Sequence, residues 1–76
     1  MNKKKIISMF GWVGALSIVS AYALLSFDII SGGLVYNLLN LIGALLIVID
    51  AFDDKAYPPA ALNIVWFLVA LVSLLS

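Results

Sequence analysis

Three long stretches without a charged residue divide the chain, at residues 6–27, 29–49 and 56–76. All eight charges fall outside them, at Lys3, Lys4, Lys5, Asp28, Asp50, Asp53, Asp54 and Lys55. Each stretch is 21 or 22 residues long, the length at which a helix crosses a hydrocarbon core about 30 Å thick. A segment that spans lipid must bond its own backbone groups, so the many Val and Ile residues here do not argue for strands. The pattern predicts an all-α protein, an integral membrane bundle of three transmembrane helices forming one domain over residues 1–76, with helices near 6–27, 34–49 and 59–75.

The breaks between the stretches are marked by turn chemistry. Gly32-Gly33 is a breaker signal, and Ser31 is a candidate cap for the second helix. Asp50-Ala51-Phe52-Asp53-Asp54-Lys55 holds half of the charge and belongs in water or among headgroups. Pro58 and Pro59 suit the first turn of the third helix, where a missing N–H costs nothing. Ala21-Tyr22-Ala23 also has the small-x-small form of a signal-peptide cleavage site. The first stretch, however, stays apolar to Phe27, longer than a signal core, and a retained spanning helix is expected.

Composition agrees with this reading: 66% of residues are hydrophobic and 11% charged, against about 45–50% and about 25% in soluble domains. A soluble enzyme, a nucleic-acid binder and a disordered tail are excluded together. With neither Cys nor His, disulfides, thiol nucleophiles and the common transition-metal ligand sets are absent. No catalytic constellation, cofactor or metal site is expected. Asp50, Asp53 and Asp54 lack the further oxygens and the turn glycine of a calcium loop, and read as a solvated loop. Three lysines at the amino end and one in the second loop predict a cytoplasmic amino terminus, an outer first loop and an outer carboxyl terminus in the cell membrane.

The informative residues are then the small and polar ones inside the spans. Gly11, Gly14, Ala15, Ile18 and Ala21 form one stripe in the first helix, and Gly11/Ala15 is a small-xxx-small pair, a packing face within the chain or between subunits. In the second helix, Gly33, Asn37, Asn40 and Ala44 share a face, with Gly43 beside it. Asn63, Trp66, Ala70 and Ser73 align in the third. Intramembrane amides avoid lipid, so Asn37, Asn40, Asn63 and Trp66 either bond helix to helix or line a polar path for a small hydroxylated or zwitterionic solute. Trp12 and Tyr57 read as interfacial anchors. Tyr22 lies deeper, with no partner legible from sequence.

Trp12-Val13-Gly14, Ala21-Tyr22-x-Leu24-Leu25, Tyr36-x-Leu38-Leu39-Asn40-x-x-Gly43-Ala44 and Pro58-Pro59 followed by Asn63-x-x-Trp66 resemble an uncharacterised family of small bacterial three-helix membrane proteins, from about residue 10 to 75. More distantly, the layout is similar to the semiSWEET half-transporters and other PQ-loop proteins, and to the amino-terminal domain of lipid A synthase. The semiSWEET resemblance implies a dimer around a central path, with Asn63 against the solute. No Pro-Gln dipeptide occurs in the first stretch, and the second lacks the Trp-x-x-Tyr-Gly ending.

Three functional expectations follow. The leading one is a non-enzymatic helix-packing or scaffold module in the lipid bilayer, homo-oligomeric and most simply a homodimer, alone or with another membrane protein. The second is a half-transporter or small channel whose copies enclose the Asn/Trp path. A holin-like lesion former is the third, disfavoured because such proteins often end in a charged tail and this chain ends Leu74-Leu75-Ser76.

Overall fold

The computed structural model describes residues 2–76 as three antiparallel helices in chain order, α1 (Lys3–Ser26), α2 (Leu34–Asp53) and α3 (Tyr57–Leu75). The longest dimension is 38 Å, enough to cross a hydrocarbon core of about 30 Å and reach both headgroup layers. All three helices are long and apolar enough to cross a membrane.

Each helix boundary has a local cause. The Asn2 side chain accepts from the Lys5 N–H at 2.9 Å, so α1 begins at the lysines and not at Ile6. At its far end the Asp28 N–H donates to the Leu25 carbonyl and the Ile29 N–H to the Leu24 carbonyl, with Asp28 at φ 59. This is a Schellman closure, built on a left-handed residue. The end of α2 repeats it. The Lys55 N–H donates to the Phe52 carbonyl, the Ala56 N–H donates to the Ala51 carbonyl, and Lys55 sits at φ 56. The second helix therefore runs past the expected Ile49, to Asp53. Its N-cap is Gly33 at φ 79, which makes no side-chain cap bond, so Ser31 does not cap it. The third helix starts at Tyr57, with Pro58 and Pro59 in its first turn as expected.

The central helix is α2. It packs against both neighbours, while among the described residues no Cα of α1 comes within 8 Å of a Cα of α3. The helices thus form a bent layer with two seams and not the single shared seam of a closed bundle. Every buried residue is small, or is Asn40: Gly11, Gly14 and Ala21 from α1, Asn40, Gly43, Ala44 and Ala51 from α2, Ala60 and Ala70 from α3. Among the described residues no large side chain is fully buried, and large apolar side chains such as Leu16, Val19, Ile42 and Val69 stand exposed. The accessible surface is 5224 Å², against about 4,500 Å² for a compact soluble monomer of 8.2 kDa. Small-residue seams and large exposed side chains are the arrangement of helices solvated by lipid.

Candidate functional site

The α1–α2 seam is set by glycines. A Cβ added to Gly14 would stand 2.5 Å from the Gly43 carbonyl oxygen, and one on Gly43 would stand 2.7 Å from the Gly14 carbonyl oxygen. The two backbones therefore touch, which only glycine permits. One turn away the Ser17 hydroxyl donates to the Leu39 carbonyl at 2.8 Å. Toward the loop between α2 and α3, Asp50 lies across Gly11, where any added Cβ would overlap its carboxylate. Lys4 and Asp54 close this end with an exposed ion pair at 3.2 Å. Phe52 and Tyr57 meet edge-on with centroids 6.2 Å apart, bracing the turn into α3.

The α2–α3 seam carries the polar centre. Asn40 is only 4% exposed. Its Nδ2 donates to the Tyr36 carbonyl at 2.8 Å, and its Oδ1 accepts from the Trp66 indole N–H at 2.9 Å. One side chain thus ties α3 to α2 while bonding its own helix, with no buried side-chain nitrogen or oxygen left unpaired among the described residues. An indole–amide bond of this kind contributes about 0.6 kcal/mol in a membrane interior, and up to about 1.7 kcal/mol.

The four candidate polar residues are not one constellation. Asn40 and Trp66 are bonded to each other. Asn37 is half-buried and lines a cleft of about 280 Å³ between α2 and α3, together with Tyr36, Asn40, Trp66 and Ser73. Asn63 does not line this cleft. Its amide donates to the Pro59 carbonyl at 2.9 Å, a bond within its own helix. Of the small residues, Gly11, Gly14, Ala21, Gly43 and Ala44 are buried in the seams and Ala15 is half-buried. The bond between Asn40 and Trp66 has no signal in the sequence. Helical spacing gives each residue's face, but the meeting of two faces 26 positions apart depends on how α3 slides along α2.

A second cavity, of about 640 Å³, lies over α2 in the trough between α1 and α3. Tyr22, Tyr36 and Trp66 line it, one aromatic from each helix. Trp12 is 72% exposed and lies two turns along α1 from Lys5. An amphipathic ring at that depth reaches toward the headgroups. Among the described residues no group of Asp, Glu, His or Cys is arranged to hold a metal ion.

Length, hydropathy and small-residue seams define a multi-pass α-helical membrane protein. A family model matches residues 7–76, and the chain belongs to that uncharacterised family. No curated protein and no solved structure matches the chain significantly.

Proposed function

We propose that the protein is a non-enzymatic helix-packing module of the cell membrane, working as a homodimer with its amino terminus in the cytoplasm and its carboxyl terminus outside. The observation that carries this reading is the use of Asn40. Its amide is buried and engaged at both ends, by Trp66 and by the Tyr36 carbonyl, which supports a rivet between helices. The Asn63 amide nitrogen donates to the Pro59 carbonyl within its own helix. What the module offers to its surroundings is apolar surface on all three helices, suited to lipid, a second copy or another membrane protein.

One observation favours a second reading. The cleft holding Asn37, Tyr36 and Ser73 gives a half-transporter of the semiSWEET type a place to begin a path between two copies. Liposome flux separates the readings. The packing module is expected to pass sugars and zwitterionic solutes no faster than empty liposomes, with two chains per particle by photobleaching. Flux above that background, reduced in Asn37→Leu at equal incorporation, would overturn it in favour of the transporter.

A further inference from the structure

Of the three asparagines in the spans, Asn37 alone is unengaged. The Asn40 amide is bonded at both ends and the Asn63 amide donates to the Pro59 carbonyl. Among the described residues the Asn37 side chain makes no hydrogen bond, and neither does the Ser73 hydroxyl, which lines the same α2–α3 cleft. Both groups lie deep. Asn37 is thirteen residues from Asp50, the first charge of α2, or about 20 Å along the helix, within a hydrocarbon core about 30 Å thick. Counted from the edge-on contact of Phe52 with Tyr57, Asn37 is fifteen residues along α2 and Ser73 sixteen along α3. The two therefore stand at one level, about 22–24 Å from that turn.

A carboxamide at this depth needs a donor for its oxygen as well as an acceptor for its N–H groups. Acyl chains offer neither, and the ester carbonyls of a lipid only accept. We propose that a second copy of the chain covers the α2–α3 cleft, with Asn37 bonded to the partner's Asn37 or the partner's Ser73 across a two-fold axis along the membrane normal. This rests on the homodimer reading and names its interface. Copies inserted in one orientation, as the lysines direct, are related by such an axis, which brings each residue to groups at its own depth. An amide that meets its twin, or a hydroxyl at the same level, gives and receives hydrogen bonds at once. Val65 and Val69, exposed on the same face, supply dispersion contacts around the polar pair.

Energy transfer between labelled copies of the full chain, followed as phosphatidylcholine vesicles are diluted with lipid, gives the dimer dissociation constant. Asn37→Leu is expected to raise it about tenfold, as hydrogen bonds between helices are lost. Asn37→Gln, which keeps the amide, is expected to recover most of that loss, and Asn63→Leu, outside the cleft, to cause none. The chain has no cysteine, so oxidation of Asn37→Cys is expected to link two copies, and oxidation of Leu16→Cys on α1 to link none. A wild-type chain that stays monomeric overturns the homodimer reading and this interface with it. A dimer as tight in Asn37→Leu as in the wild type, or one linked through Leu16→Cys and not through Asn37→Cys, overturns the interface and leaves the homodimer standing. Rapid reaction of Asn37→Cys with a membrane-impermeant maleimide overturns the interface in favour of water as the occupant of the cleft.

Discussion

Asn40 shows how one side chain can hold two helices where water is absent. A lone amide in lipid would be costly, but this one accepts from Trp66 and donates to Tyr36. A double-mutant cycle of Asn40→Ala with Trp66→Phe is expected to give a coupling of about 0.6–1.7 kcal/mol by unfolding in bicelles. Coupling near zero would mean that the bond does not hold the seam. Asn63→Leu removes only a bond within one helix. In the same assay it should change stability by about 0.5 kcal/mol or less. The glycines divide by the kind of damage a Cβ does. Gly43→Ala drives a Cβ into the Gly14 backbone. With the helices forced apart, the expected loss is about 2 kcal/mol or more. At Gly33 an added Cβ meets nothing within 4 Å, so Gly33→Ala displaces no helix and strains only a backbone held at φ 79. That strain alone is about 1–3 kcal/mol. The faces bearing these residues were legible from spacing, since Gly14, Gly43 and Asn40 each lie on or beside a small or polar stripe. The register that joins Asn40 to Trp66 was not, because a uniformly apolar helix can slide along its neighbour without changing any one-dimensional pattern.

At the level of the helices, existence was legible and ends were not. Charge marks where lipid stops, but a helix stops where its last carbonyls are satisfied. Lys3–Lys5 and Asp50–Asp53 are therefore helical although they lie outside the uncharged stretches. Asp50 is tolerated in α2 because Gly11 leaves room for its carboxylate. Likewise Gly32-Gly33 is the strongest turn signal before α2, whereas α1 is closed earlier, at Asp28. The two Schellman closures place an Asp and a Lys in the left-handed region, where glycine is at ease. Lys55→Gly should relieve that strain and raise stability by about 0.5–1 kcal/mol in thermal unfolding, provided Lys3–Lys5 keep the orientation. Unchanged or lowered stability would show that the Lys55 side chain does more than occupy a turn.

On the scale of the whole molecule, α2 is an axle between two helices whose backbones stay apart, with no Cα of α1 within 8 Å of a Cα of α3 among the described residues. That arrangement lay beyond the sequence, for three apolar helices of similar length close equally well as a triangle or as a bent layer. Its physical consequence is a protein whose buried interior, among the described residues, is glycine, alanine and Asn40, with the large side chains there all at least partly exposed. Such a molecule has almost no soluble-type core, and its stability rests on backbone approach and a few hydrogen bonds in a lipid solvent. The most direct test of that claim is collisional accessibility by electron paramagnetic resonance, with nitroxides at Leu16, Val69 and Asp53 in bilayers. Labels at Leu16 and Val69 are predicted to collide with oxygen and to be shielded from a water-soluble nickel chelate, with the opposite pattern at Asp53. Free access of the nickel chelate to Leu16 or Val69, or an oxygen-rich, nickel-shielded signal at Asp53, would contradict it.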